Sequence, residues 1–299
     1  MPALTLGMLV LGVAMALNAP ASMGLIVQLV DREELQAVNA LLGTSRNGAM
    51  AGGAALGGVL VAALGAGPTL MLDAFSFGVS ALLVMSLRPR LQAQPEKASI
   101  FQGLQLGFRE FASHTWLWAI VLQFSLLVAV HESVFGLLGP AVTREALGGA
   151  ADWGFIAASF GLGTLAGGIL SLKVRPRHPM RFATFCTLTF SGLPLVLSVP
   201  LATSAVAATA FAVGVAGQLF AVLWYTTLQK KIPAHMLSRV SAYDHLGSIA
   251  LAPLGIVVAG FVYDAIGHRS TLLIAALTGL LPTLAVFCVR DVRQMTSSE

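Results

Sequence analysis

Residues 35–88 read LQAVNALLGTSRNGAMAGGAALGGVLVAALGAGPTLMLDAFSFGVSALLVMSLR, and residues 237–290 read LSRVSAYDHLGSIALAPLGIVVAGFVYDAIGHRSTLLIAALTGLLPTLAVFCVR. Aligned without a gap at a spacing of 202 positions, the two stretches share 13 identical residues. These include Leu35 with Leu237 and Gly65 with Gly267. Each stretch is apolar and long enough to cross a bilayer twice. The sequence therefore predicts a parallel internal repeat of membrane-spanning helices, an architecture that is typical of secondary transporters.

The composition indicates that lipid is the main solvent of this chain. Apolar residues make up 57% of it and charged residues 10%, whereas soluble domains carry about a quarter charged residues. The net charge of +4 does not indicate a nucleic-acid partner, because the cations lie in short loops between apolar runs. Cys186 and Cys288 each lie inside an apolar run, so we expect neither a disulfide nor a metal site.

Nine apolar segments reach the length of about 20 residues that a helix needs to cross a bilayer. Alternate connections place 14 of the 17 cations on one side, Arg144 and Arg269 on the other, and Arg46 inside a span. The positive-inside rule makes the first side cytoplasmic. We therefore expect a multi-pass protein of the inner (plasma) membrane with a cytoplasmic C-terminus. The predicted spans are 3–29, 36–64, 68–87, 115–142, 151–173, 181–201, 204–231, 237–265 and 270–289.

The repeat also bears on the number of helices. Spans one to three match spans seven to nine, so spans four to six would need three partners upstream of Met1. Either the chain lacks the first three helices of a twelve-helix protein, which we favour, or it is a nine-helix protein. The predicted organisation is a partial N-terminal half (1–87), a cytoplasmic linker with an amphipathic helix (88–114), a C-terminal half of six helices (115–293) and a cytoplasmic tail (294–299).

Several local motifs resemble one superfamily of transporters. Ser45-Arg46-Asn47-Gly48-Ala49 resembles the fifth helix of major facilitator superfamily exporters. Leu223-Trp224-Tyr225-Thr226 resembles their tenth helix, and Arg239-Val240-Ser241 resembles the start of the eleventh. The most similar group is the bacterial branch of enterobactin-type and macrolide exporters. The resemblance covers essentially the whole chain as helices four to twelve of an all-α bundle.

Two departures from the family pattern concern gating. Helix five usually carries Gly-Pro before its final Gly-Gly, and here the pair reads Gly53-Ala54. The basic loop between helices two and three would lie upstream, and its second-half counterpart, residues 173–181, has no acidic residue.

The resemblance implies a secondary active exporter, a proton antiporter for a small amphipathic compound such as a drug or a siderophore-like molecule. Its partners would be the substrate, protons and lipid, and it would act as a monomer without a cofactor. An intramembrane enzyme is disfavoured because no paired catalytic groups lie at one depth. The sequence has no phosphate-binding ATPase motif, so the chain cannot energise transport by hydrolysis alone. A non-transporting scaffold or relic, and less favourably an importer, are the alternatives.

Glu132 is the sharpest candidate for proton coupling, since no other carboxylate lies so deep in a span. A charge at that depth is costly, so the side chain should face a cavity or be protonated. It shares a stripe of small residues with Ser125, Ala129, Gly136 and Gly139. A structural carboxylate bonded to a neighbouring helix is the alternative.

His131 lies about 100° around the same helix from Glu132. We include it with the coupling candidates, but its stripe of Phe124, Leu127, Phe135 and Leu138 favours packing or a hydrogen bond between helices over a proton relay.

The other candidates follow from the resemblance. Cavity-lining helices would carry polar and aromatic side chains suited to amphipathic substrates, although each residue alone is more often used in packing. These cavity candidates are Asn18, Ser22, Gln28, Gln218, Trp224, Tyr225 and Thr226.

A further set has expected gating or structural roles. Arg46 would have a structural or gating role, and Asp244 and Arg239 would form a polar network at the inner helix ends. Asp73, near an outer helix end, would cap a helix or lie at an interface. Glycines four residues apart would let helices approach and slide. The glycines of this set are Gly53, Gly57 and Gly58, with Gly48/Gly52 and Gly163/Gly167 as further pairs.

Overall fold

The computed structural model describes residues 2–90, 99–199 and 201–296. Every regular element in these residues is a helix, which confirms the predicted all-α fold. Residues 91–98 of the predicted linker and 297–299 of the predicted tail lie outside the described residues. The division into two halves, linker and tail stays a prediction.

Three long helices form the N-terminal part of the chain. No charged residue occurs between Pro2 and Leu29, so the first helix can lie entirely in hydrocarbon. The second and third helices are separated by Gly65 alone, whose backbone has φ 83° and ψ 168°. The helices are α1 (Pro2–Leu29), α2 (Leu35–Leu64) and α3 (Ala66–Ser86).

The rest of the described chain contains ten α-helices of 5 to 35 residues. The bundle includes a π-helical turn (Val134–Leu138) between α5 and α6 and a 3-10 turn (Leu188–Ser191) between α8 and α9. The helices are α4 (Ile100–Ser113), α5 (Thr115–Ser133), α6 (Gly139–Ala146), α7 (Ala150–Ser171), α8 (Pro179–Thr187), α9 (Gly192–Leu197), α10 (Thr203–Lys231), α11 (Ala234–Ile249), α12 (Ala252–Val286) and α13 (Arg290–Gln294).

Eight segments of the described residues are long and apolar enough to cross a membrane. The last, Ala234–Val286, has 53 residues, or about 80 Å of helix against a hydrocarbon core of about 30 Å. Inside it Gly267 has φ 77° and ψ 171°, which ends one helix and begins the next. This segment is therefore long enough to cross twice, so the eight candidate segments can accommodate the nine crossings that the sequence predicts.

The helix bounds follow the internal repeat. Moved by 202 positions, α1 would cover residues 204–231, and α10 runs from Thr203 to Lys231. Gly65 and Gly267, which are repeat partners, have nearly the same backbone angles. Only glycine adopts this conformation without strain, so both turns depend on having no side chain. The two triplets of helices share their local geometry as well as their sequence.

Most of the cations lie at one face of the bundle, which we call the basic face and define by Arg32, Lys173, Lys231 and Arg290. Contacts join several helix ends there. The His178 ring contacts the carbonyl oxygen of Met295 at 3.3 Å. Arg90 donates to Asp31 at 2.7 Å, and this carboxylate raises the pKa of Arg90. Both groups are exposed, so the pair adds little to stability.

The amphipathic helix α4 is fastened to α11 at the basic face. A capping box begins it, with Ser99 accepting from the Gln102 N–H and the Gln102 side chain accepting from the Ser99 N–H. Tyr243 of α11 donates to the carbonyl oxygen of Leu104 at 3.0 Å and packs its ring against Phe108 and Phe111. The predicted linker helix is therefore part of the C-terminal bundle.

Small residues bring α7 and α10 together. A methyl group at Gly163 would collide with the carbonyl oxygen of Phe211, and one at Gly167 would lie 2.5 Å from that of Val215. The close approach predicted for Gly163 and Gly167 is confirmed.

Between α5, α8 and α12, the buried Gln123 amide donates to the hydroxyls of Thr187 and Thr283, each at 2.8 Å.

The same prediction is wrong for the outer part of α2. A methyl group at Gly52, Gly53, Gly57 or Gly58 would meet no atom within 4 Å, because no helix of the described residues packs there. Helix α3 has no buried residue. Its exposed side chains are mainly apolar, including Phe75 and Phe77, as expected for a surface that meets hydrocarbon.

We predict that Gly267→Val lowers the stability of the protein by about 1–3 kcal/mol, because a β-branched side chain is strained at this φ and ψ. The measurement is thermal unfolding of the purified protein in detergent. Gly260→Ala is the matched control, since a methyl group there would make an ordinary contact of 3.6 Å with Leu137. Equal melting temperatures for the two variants would contradict the prediction.

Candidate functional site

A row of amide side chains on α2 connects the N-terminal helices to the C-terminal bundle. The buried Asn39 donates to the Thr226 hydroxyl at 3.0 Å and to the Gln229 side-chain oxygen at 2.6 Å. Gln36 donates to the carbonyl oxygens of Ser171 at 2.8 Å and Val174 at 2.7 Å. These carbonyls lie at the end of α7, where helices leave acceptors unpaired. Gln36 therefore caps α7 from across the boundary.

A second amide pair lies further into the membrane. Asn47 donates to the side-chain oxygen of the buried Gln218 at 3.0 Å. Gln36, Asn39 and Asn47 share one face of α2, since they lie at intervals of three and eight residues. Of the residues in these contacts, Gln218 and Thr226 are predicted cavity residues, and Asn47 belongs to the motif that resembles helix five. The amides of α2, spaced on one face of an apolar helix, were the signal that could have revealed the others.

Close helix approaches accompany these hydrogen bonds. Gly24 of α1 lies directly against the Ser238 side chain of α11. A Cβ atom at position 24 would lie 3.5 Å from the Ser238 Cβ. Gly43 leaves room for the Gln218 amide, and Gly168 leaves room for the Thr44 hydroxyl. We call the contacts of residues 23–48 with α7, α10 and α11 the seam.

The seam is confined to the half of the bundle nearest the basic face. Its residues lie in the last turns of α1 and the first half of α2. Farther out, Gly52 and Gly58 face no helix, and Leu9, Val13 and Leu17 of α1 are more than 60% exposed. Within the described residues, the two groups of helices are therefore closed at the basic face and separated at the opposite face.

A buried carboxyl group lies next to the seam. Asp244 is 6% exposed and accepts a hydrogen bond from the Trp224 indole at 3.1 Å, with Ser248 a more distant donor at 3.5 Å. Trp224 is 5% exposed and belongs to the same apolar cluster as Met23 of α1. The predicted cavity residue Trp224 thus serves in this arrangement to hold Asp244.

Tyr225 and Arg46 lie on the open side of this group. Tyr225 is 39% exposed although it lies between buried neighbours on α10. It is within electrostatic range of both Asp244 and the exposed Arg46 of α2. Arg239 does not join them, since its side chain lies against Gly103 and Gly107 of α4. The expected network between Arg239 and Asp244 is therefore absent, because α4 occupies the Arg239 side of α11.

Glu132 lies at the middle of the helical segment Thr115–Ala146, immediately before the π-helical turn. Its side chain is exposed and makes no hydrogen bond or ion pair within the described residues. The residues near it on α5 face different partners, because Ala129 packs on Gly255 of α12 and Gly139 on Trp153 of α7. The expected small-residue stripe through Gly139 does not form, since the π-helical turn changes the register. Such turns occur often at functional sites.

His131 occupies an aromatic pocket. Its ring centroid lies 4.4 Å from that of Phe135, 5.3 Å from Phe160 and 6.0 Å from Phe190. Within the described residues its ring nitrogens make no hydrogen bond, so the expected hydrogen bond between helices does not form and packing describes this residue better.

The remaining candidates take different environments. Asn18 is exposed and Ser22 half-buried on α1, whereas the Gln28 amide donates to the carbonyl oxygen of Gly24 in its own helix at 3.0 Å. Gln218 and Thr226 are buried in the seam. Asp73 is exposed in the interior of α3, so it does not cap that helix. Of the predicted cavity residues, Asn18 and Tyr225 are the ones open to the surroundings.

Comparison with known proteins agrees with this architecture. A family model described as transmembrane secretion effector matches residues 2–299. The chain belongs to this family of the major facilitator superfamily. The multidrug efflux pump Tap of Mycobacterium tuberculosis (strain ATCC 25618 / H37Rv) is 27% identical over 242 residues, which are 77% of this chain and 57% of Tap. The MFS-type transporter YvqJ of Bacillus subtilis (strain 168) is 23% identical over 284 residues, 89% of this chain and 65% of YvqJ.

The chain thus spans about three fifths of the length of these relatives of the major facilitator superfamily. The membership confirms the family named from the sequence motifs, and the crossings described above make the protein a multi-pass membrane protein.

We predict that cysteines placed at Gly24 and Ser238 form a disulfide across the seam, in a chain whose Cys186 and Cys288 are serines. The Cβ separation of 3.5 Å suits the bond. Adding Gly43→Leu should lower the yield of this disulfide severalfold, because the larger side chain displaces Gln218 and separates α2 from α10. Gel mobility of the oxidised protein measures the yield.

Gly52→Leu on the same helix is the control, since nothing lies within 4 Å of a Cβ there. A seam that forms as described leaves its yield unchanged. If both leucine variants lowered the yield equally, the predicted role of Gly43 would be wrong.

Proposed function

We propose that this protein is a secondary active exporter that couples the movement of a small amphipathic compound to protons by alternating access. The observation that carries the proposal is the one-sided seam, which closes the helices at the basic face and leaves them apart at the other. A transporter needs a pathway open to one side at a time. The relatives named multidrug efflux pumps support export of organic compounds.

The side of the membrane to which the described arrangement opens follows from the membrane orientation that we propose. With the basic face in the cytoplasm of a bacterial cell, as the positive-inside rule requires, the described arrangement is closed inside and open outside. The C-terminus then lies in the cytoplasm. Opening would break the hydrogen bonds of Gln36, Asn39 and Asn47, which are short polar contacts that water can replace.

Glu132 is the proposed coupling group for the pathway. It lies at mid-depth, is exposed and lacks a partner within the described residues, so an incoming proton or a cationic group of a substrate can reach it. A carboxyl in the membrane interior favours its neutral form until an opposite charge or water reaches it. Protonation would therefore compete with substrate binding. Tyr225 and Asn18 would add an aromatic face and hydrogen bonds to the same opening.

The orientation can be tested by labelling with a membrane-impermeant maleimide in intact cells. We predict that a cysteine replacing Arg269, which lies at the face opposite the basic one, reacts from outside. A cysteine replacing Arg177 should react only after the membrane is permeabilised. Both variants would carry serine at Cys186 and Cys288. Reaction of the two positions from the same side would refute the proposed topology.

We predict that Glu132→Gln abolishes proton-driven efflux, because glutamine cannot release a proton. Ethidium serves as the amphipathic probe, and its efflux from energised cells is measured by fluorescence at several external pH values. The expected rate falls to that of cells without the protein and no longer depends on pH. Glu145→Gln is the matched control, since Glu145 bonds to Tyr263 at the opposite face. Unchanged efflux in Glu132→Gln would remove this residue from the mechanism.

A further inference from the structure

The seam buries a carboxyl group that the proposed coupling at Glu132 does not use. Asp244 lies on α11, eleven residues before Gly255 of α12, which contacts Ala129 on the α5 helix that carries Glu132. Its one close hydrogen-bond donor is the Trp224 indole. No ion pair involves Asp244 among the described residues. A buried carboxylate without a cation is strongly disfavoured, whereas a neutral carboxyl is tolerated.

The surroundings of Asp244 offer little that would hold its charge. Helix α1 contains no charged residue, and α5 presents the apolar Val121 to Gly247 of α11. On α11 itself, Arg239 and Tyr243 are engaged with α4, and the half-buried His245 makes no hydrogen bond in the described part of the chain. Helix α10 contributes Tyr225, which is within electrostatic range of both Asp244 and Arg46 of α2.

What excludes water from Asp244 is the seam. Val240, one turn before Asp244, and Trp224 pack in one apolar cluster with Met23 of α1. Gly24, the next residue of α1, lies against Ser238 of α11. Separation of α1 from α11 would remove this cover and admit water from the basic face.

We propose that Asp244 is a second proton-binding group, which holds a proton while the seam is closed and releases it at the basic face when the seam opens. On release the O–H bond of the carboxyl group breaks, and the proton passes to water entering from the basic face. The carboxylate that remains is stabilised by this water. The reverse step takes a proton from water before the seam closes. The inference rests on the proposed alternating access, which supplies the opening and closing.

The test uses a disulfide that holds the seam closed and the fluorescence of a tryptophan that contacts Asp244. A disulfide between cysteines at Gly24 and Ser238 holds the seam closed, and the Trp224 indole, hydrogen-bonded to Asp244, reports its protonation through tryptophan emission. The purified chain in detergent is titrated over about pH 4 to about pH 9, a range that covers buried carboxyl groups. The same protein is measured oxidised and after reduction, and a Trp224→Phe protein identifies the signal of this indole.

We predict one transition in the Trp224 signal, with its midpoint at a higher pH in the locked protein than in the reduced protein. Equal midpoints, or no transition, would overturn the proposal. This comparison needs no change at Asp244, so it holds even if substitutions there prevent folding. In addition, Asp244→Asn should remove the transition. Asp264→Asn, which changes an exposed carboxyl of α12, should keep it.

The titration uses neither a substrate nor a gradient, so it separates the two proposals. Glu132→Gln should keep the Trp224 transition while it loses ethidium efflux. A missing transition with intact proton-driven efflux would refute the role of Asp244 alone. An intact transition without any efflux in the unchanged protein would refute the proposed export function alone.

Discussion

The hydrogen bonds of Asn39 to Thr226 and Gln229 are the interaction on which the arrangement of the two helix groups depends. In hydrocarbon, apolar surfaces gain little by contacting one another rather than lipid, so polar contacts and close packing hold helices together. The N-terminal helices supply few such contacts elsewhere in the described residues, and α3 packs mainly on α2. Asn39, with Gln36 and Asn47, therefore determines where α2 joins the bundle.

Two carboxyl groups at different levels of the bundle differ in exposure. Glu132 lies at the middle of its helical segment, is exposed and has no partner within the described residues, whereas Asp244 is buried and accepts a hydrogen bond from Trp224. Tyr225 is within electrostatic range of both the exposed Arg46 and the buried Asp244. In this arrangement a charge can be accommodated at the first level, and the second suits a neutral group.

The sequence was sufficient for features that repeat or that follow from composition. The internal repeat pairs Gly65 with Gly267, and both form turns between helices, while the spaced glycines Gly163 and Gly167 predicted a close helix approach that α7 makes with α10. The contacts of individual side chains were less predictable, because the sequence of a helix indicates which residues share a face but not which neighbouring helix packs on that face. Arg239 turned to α4 rather than to Asp244, and Gly53 met no helix in the described residues. Extending the Glu132 stripe to Gly139 failed since periodicity assumes a regular helix, and five π-helical residues intervene.

The same π-helical turn gives α5 a joint. A π-helical turn contains one more residue than an α-helical turn, so its removal by sliding one hydrogen-bond register would rotate everything beyond Leu138 by about 100°. The outer segment Gly139–Ala146 would then present a new face to Trp153, while Thr115–Ser133 stayed packed at the basic end. This twist would reorient the outer segment of the helix without disturbing the helix ends that the amides hold together.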